Sequence, residues 1–150
     1  MTHQGKLNVE EDDSLAIEFP VSFHVSGTPV SLQASARSKG EWKNAVLEAC
    51  NTVLAPHKFA TDSNLSVTIY DFPTDEPSGD VDNIIKPILD ALEGRIYVDD
   101  AYIKRVVVQR FLDHEIKTLD DVPDLVGQAL VNDPPFVYIL VNDNPLREAL

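Results

Sequence analysis

Two strand-like runs, Leu65 to Phe72 and Tyr102 to Leu112, bracket one short helix pattern, and the connections between them hold Asp80, Asp82, Asp99 and Asp100. Leu65, Val67 and Ile69 alternate as one face of a strand does. Ile84, Ile85, Ile88, Leu89 and Leu92 recur at helical spacing and form a single buried stripe over about 83–93. Asp82 stands where an N-cap belongs, Pro87 falls near the first turn, and Gly94 follows the stripe as a left-handed C-terminal residue would. Folding such a unit back on itself returns Asp99 or Asp100 to the helix start, beside Asp80 and Asp82.

That crowding of acids is costly without a counter-charge. Carboxylates at i and i+2 on an extended backbone point to one side, as Asp80 and Asp82 would. Their mutual repulsion is relieved by a hard divalent cation, which prefers oxygen ligands, and Mg²⁺ suits the set. Lys86 lies one helical turn on and can reach back to the helix start, while Asp90, four residues later, is placed to pair with it.

The rest of the chain supplies one further layer. Leu15, Ile17, Phe19, Val21, Phe23 and Val25 alternate without a break, predicting a strand whose Pro20 marks an edge or a bulge. Gly27-Thr28-Pro29 turns the chain out, and 30–37 reads as a loop. Ser38-Lys39-Gly40-Glu41 matches a capping box, and Trp42, Val46, Ala49, Cys50 and Val53 predict a helix over about 39–54. Residues 113–135 are acidic and broken by prolines, with room for a short helix near 124–131, and Phe136 to Val141 is a last strand. The order β-α-β-α-β-(α)-β predicts one α+β domain, a mixed α/β layer with about four strands and two to three helices. It spans 15–142, with an acidic tail at 1–14 and another tail at 143–150.

With 150 residues the chain is long enough for one real core. Its one cysteine, Cys50, permits no intrachain disulfide and fits a reducing cytoplasm, and it lies on the apolar helix face. No apolar run approaches the roughly 18 residues of a membrane span, and the polar start is no signal peptide. Net charge is −13, yet 35–60 and 101–112 are net basic. Arg37, Lys39 and Lys43 in the first stretch, and Lys104, Arg105 and Arg110 in the second, are candidates for phosphate contact. Trp42 fits the helix stripe and reads as core rather than a base-stacking residue. His3, His24, His57 and His114 show no metal-ligand spacing.

Asp80-Val81-Asp82-Asn83-Ile84-Ile85-Lys86, then Asp90-Ala91-Leu92 with Gly94, then Tyr97-Val98-Asp99-Asp100, resemble the RusA family of Holliday junction resolvases. The resemblance extends in element order over roughly 15–142. It implies a small, homodimeric, Mg²⁺-dependent endonuclease, of a kind often carried by prophages, that nicks two strands of branched, four-way DNA symmetrically in recombination and repair. It also implies that Asp80, Asp82 and Asp100 hold the metal, with Asp99 as the second choice for the last position, and that Lys86 is the catalytic lysine. The chain departs from the family in its acidity and in a longer acidic connection over 113–135. Two other readings fit the residues: a non-catalytic acidic interaction protein on the same fold, and a metal-dependent phosphohydrolase of small nucleotides.

Overall fold

The computed structural model describes residues 14–74, 79–117 and 133–148. At its centre lies a four-stranded mixed sheet of β1 (Val21–Ser26), β2 (Leu65–Phe72), β3 (Ile103–Arg110) and β4 (Phe136–Asn142). Its spatial order is β1-β4-β2-β3, with β4 antiparallel to both neighbours and β2 parallel to β3. Position in the sheet explains the sequence patterns. Edge strand β1 buries Val21, Phe23 and Val25 and turns the alternate residues outward. The inner strands β2 and β4 are covered on both faces, so nearly all their side chains are buried. The single α+β domain expected from the element order is the one observed.

Helix α1 (Ala36–Asn51) lies between β1 and β2 in sequence and buries Trp42, Val46 and Cys50. Both Trp42 and Cys50 are therefore core residues, as the stripe predicts. The helix starts three residues earlier than expected. Ser35, not Ser38, is the N-cap, and its Oγ accepts a hydrogen bond from the Ser38 amide at 3.1 Å. It also stops at Asn51, which leaves Val53 off the stripe and 53% exposed. The strand expected from Leu15 begins only at Val21, because Pro20 brings no N–H to the ladder. Before it, Ala16 makes an isolated bridge to Phe59.

Parallel strands β2 and β3 need a crossover rather than a tight hairpin. A 3₁₀ turn (Val81–Ile84) and helix α2 (Ile85–Leu92) provide it. Helices α1 and α2 pack together, and Ile88 and Leu92 of α2 join Val46, Val67 and Ile139 in the main core. Each such aliphatic side chain contributes about 1.5–3 kcal/mol when fully buried. A second apolar cluster gathers Phe72 and Phe136, whose rings stack 4.5 Å apart, with Phe111 on Phe72. Short helices α3 (Asp113–Lys117) and α4 (Pro145–Glu148) complete the described elements, the latter where a tail is expected. The tail of 1–14, apart from Ser14, and the helix expected near 124–131 lie outside the described residues. Among the described residues no helix is long and apolar enough to cross a membrane.

Candidate active site

Gly79 has φ of +89°, a conformation open to glycine but strained for other residues, and it aims the chain at Asp80. Asp80 is extended and is the N-cap of the 3₁₀ turn, its carbonyl accepting from the Asn83 amide at 3.1 Å. Asp82 sits inside the first turn. The two acids are thus not alternate residues of an extended strand, and the N-cap position falls to Asp80 rather than Asp82. The short i to i+3 turn inserted before α2 is the physical reason. Asn83 in turn accepts, through its carbonyl, a bond from the Leu32 amide at 2.9 Å, which ties the loop before α1 to this turn.

Helix α2 ends at Leu92, and Gly94 takes φ of +85°, as expected of the residue after the cap. The Gly94 amide bonds the Tyr97 carbonyl at 2.7 Å, and the buried Tyr97 hydroxyl donates to the Leu89 carbonyl. This tight return leads to Asp99, the N-cap of a second 3₁₀ turn (Asp100–Tyr102), whose Oδ1 accepts from the Ala101 amide at 2.8 Å. Lys86 and Asp100 then meet: Lys86 Nζ lies 2.9 Å from Asp100 Oδ2 and 2.9 Å from Asp90 Oδ1. The pairing of Lys86 with Asp90 along the helix is the one the spacing predicts. Glu93 adds a further link, its Oε1 accepting from the Asp100 amide at 3.1 Å.

These contacts set the electrostatics. Hydrogen bonds to Asp90 and then Asp100 hold the Lys86 ammonium well above its ordinary range. The same lysine holds the Asp100 carboxyl below the usual carboxylate range. Burial pushes the Tyr97 hydroxyl up, reinforced by the nearby charges of Glu93, Asp100 and Asp90. Lys86 is therefore a cation at neutral pH, suited to stabilising negative charge.

One carboxylate oxygen each from Glu93, Asp99 and Asp100 lies within 4.8 Å of the other two. Among the described residues this is the one group of three acids that close, and Asp80 and Asp82 are not in it. The hydrogen bonds named above engage one oxygen of each of the three. All-oxygen donors at this spacing fit a hard divalent cation. Glu93 did not stand out in the sequence, although it follows Lys86 and Asp90 at the i, i+4, i+7 spacing of one helix face.

The basic candidates divide. Arg37 and Lys43 are exposed on α1 and Lys39 is half-buried there, on the helix whose preceding loop touches Asn83. Lys104 is exposed and Arg105 half-buried at the start of β3, just after the Asp99-Asp100 pair. Arg110 is committed elsewhere. Its Nε lies 3.0 Å from Oδ2 of buried Asp71, and a second nitrogen donates to the Gly79 carbonyl at 3.3 Å. His24, His57 and His114 join no group of potential ligands among the described residues, and His3 lies outside them.

A family model described as Endodeoxyribonuclease RusA matches residues 40–119, more than half of the chain. The matched stretch contains Asp80, Asp82, Lys86, Glu93, Asp99 and Asp100. No curated protein matches the chain.

Proposed function

This chain belongs to the RusA endodeoxyribonuclease family, and on that premise we propose that it is a Mg²⁺-dependent, structure-selective endonuclease that nicks four-way DNA junctions symmetrically as a homodimer. One observation carries the reading: Lys86 and Asp100 are drawn to 2.9 Å of each other within the stretch matched to the family. Two-fold symmetric cleavage requires two such sites related by a dimer axis.

Asp80, Asp82 and Asp100 would hold the divalent ion, with Asp99 and Glu93 close enough to Asp100 to share in the coordination. A bound divalent ion supplies a water nucleophile active near neutral pH and a counter-charge for the attacked phosphate. The chain's own groups then have separate tasks. Lys86 has three N–H donors, of which Asp90 and Asp100 take two. The third is available to a non-bridging phosphate oxygen, where negative charge grows in the transition state. Because Lys86 stays protonated, it stabilises charge and moves no proton. Arg37, Lys39, Lys43, Lys104 and Arg105 offer contacts to the DNA backbone, which an anionic duplex needs in a chain of net charge −13.

The test is a cleavage panel with and without Mg²⁺ on a synthetic four-way junction, a linear duplex of the same sequence and a nucleotide. Paired nicks in the junction alone support the proposal. Hydrolysis of the nucleotide alone would favour a small-phosphate hydrolase, for which the high acidity is less of an obstacle. Binding without cleavage of any substrate would favour an interaction protein.

A further inference from the structure

We infer that Arg110 is a positioning residue for Asp80: braced on buried Asp71, its guanidinium grips the Gly79 carbonyl and so fixes the chain where it enters the acid-bearing turn. The inference rests on the proposed role of Asp80.

Three observations converge on it. First, Asp71 and Arg110 are register partners near the C-terminal ends of parallel β2 and β3, so both Cα positions are set by the sheet. Second, the pair is largely withdrawn from solvent. The Asp71 side chain is 3% exposed and that of Arg110 19%. Asp71 Oδ1 is buried, and among the described residues no donor reaches it. A buried ion pair of this kind is often matched in stability by apolar residues of similar volume, so the pair is weak evidence for a purely stabilising role. Third, the planar guanidinium has a further donor, directed to Gly79 at 3.3 Å. Gly79 has positive φ and immediately precedes Asp80, the residue that starts the turn. The grip therefore acts where the backbone is least restrained by its own side chain. Partners of this sort typically alter metal affinity about 10–100-fold when lost.

The experiment compares the wild-type chain with Asp71→Leu/Arg110→Met and with Arg110→Lys. The double variant removes both charges together and leaves no buried ion unpaired. The lysine keeps a cation opposite Asp71 but gives up the fork that reaches Gly79. The first readout needs no metal: amide hydrogen exchange at Asn83, whose N–H donates to the Asp80 carbonyl. Faster exchange there, about tenfold or more, with the thermal midpoint of the sheet retained, is the expected result in both variants. The second readout is calorimetric Mg²⁺ affinity, expected to weaken about tenfold. In cleavage, the half-saturating Mg²⁺ concentration should rise while the rate at saturating Mg²⁺ changes much less, a split that a merely structural role would not produce. Should the double variant fail to fold, the Arg110→Lys comparison decides. Wild-type exchange at Asn83 and wild-type Mg²⁺ affinity in a folded variant would overturn the inference. Failure of the wild-type chain to cut a junction would overturn the nuclease reading, and exchange at Asn83 would still decide whether Arg110 holds Asp80.

Discussion

Lys86 Nζ and Asp100 Oδ2 lie 2.9 Å apart although they are 14 positions apart in sequence. The contact closes the crossover between β2 and β3 at its acidic end. Lys86→Ala should lower the single-turnover cleavage rate on the order of 10²-fold with little change in junction affinity. If the lysine served only its helix pair with Asp90, the loss would be a few tenths of a kcal/mol in a denaturant melt and nothing in the rate. Both measurements on one preparation separate the roles.

The same contact makes a prediction about pH. Asp100 is depressed in the folded chain, so its part of the pairing is present above the ordinary carboxylate value of about 3.9 and is lost as pH falls through the lower folded value. Lys86 is raised, so its part is complete below about 10.4 and is lost only as pH rises through the higher folded value. The pair should therefore persist across the whole working range, and the pH–rate profile should show no inflection from Lys86 between pH 6 and pH 9. Carbon-detected NMR titration of Asp100 should give a depressed midpoint in the wild type. In Lys86→Met the midpoint should move up toward the ordinary value; an unmoved midpoint would contradict the pairing.

Asp82→Asn and Glu93→Gln address which acids hold the ion. Asparagine keeps the hydrogen-bonding shape of aspartate in the 3₁₀ turn but removes a charged ligand. Asp82→Asn should abolish cleavage, leave the melt unchanged, and allow junction binding to persist or strengthen because one repulsive charge is gone. Glu93→Gln keeps an acceptor for the Asp100 amide, so it should reduce Mg²⁺ affinity only moderately. The reverse order of severity would move the metal centre to Glu93, Asp99 and Asp100.

How much of this was legible beforehand depends on range. The α2 stripe, Gly94 after its end, and the strands β2, β3 and β4 follow from local periodicity, and the structure has them. The Lys86–Asp90 pair is equally local. The capping box at Ser38 puts the start of α1 three residues late, because Ser35, inside the stretch that reads as a loop, has the extended backbone that lets its hydroxyl reach the Ser38 amide. The turn holding Asp80 and Asp82 departs from the expected extended stretch because a short sequence of this kind suits either an extended run or a 3₁₀ entry. Glu93 and Arg110 depend on contacts between distant elements, Glu93 with Asp100 and Arg110 with Asp71 and Gly79. A charge census assigns Arg110 to DNA because it records no register, and it is the register of β2 on β3 that sets the arginine beside a buried aspartate.

Tyr97 offers a check on the frame that carries the acids. It is fully buried, and its hydroxyl supplies the Leu89 carbonyl with a donor near the end of α2. Tyr97→Phe should cost about 0.5–1.5 kcal/mol in a denaturant melt, the net value of one hydrogen bond, since the Leu89 carbonyl keeps the Glu93 amide at 3.1 Å. Because the Glu93 link to Asp100 starts from the same helix end, the variant should also weaken Mg²⁺ binding; unchanged stability would show that water can replace the hydroxyl.

The acidity of the chain makes the last prediction the sharpest. With net charge −13, attraction for DNA must come from local basic surface and from cations between carboxylate and phosphate. Each phosphate neutralised adds about 0.9 to the slope of log affinity against log salt. The slope should therefore be modest, limited to the few phosphates within reach of Arg37, Lys39, Lys43, Lys104 and Arg105, and doubled in a dimer. Ca²⁺, as a cation that supports binding without cleavage, should raise junction affinity by cancelling the charge of Asp80, Asp82 and Asp100. Replacing Arg37, Lys39 and Lys43 together by alanine should lower both affinity and slope. Arg110→Lys, by contrast, should leave the slope unchanged, because that guanidinium is engaged with Asp71 and Gly79. The measurement is a titration of labelled four-way junction at several salt concentrations, with and without Ca²⁺. An affinity no better than that for linear duplex and indifferent to salt and Ca²⁺ would count against a junction nuclease.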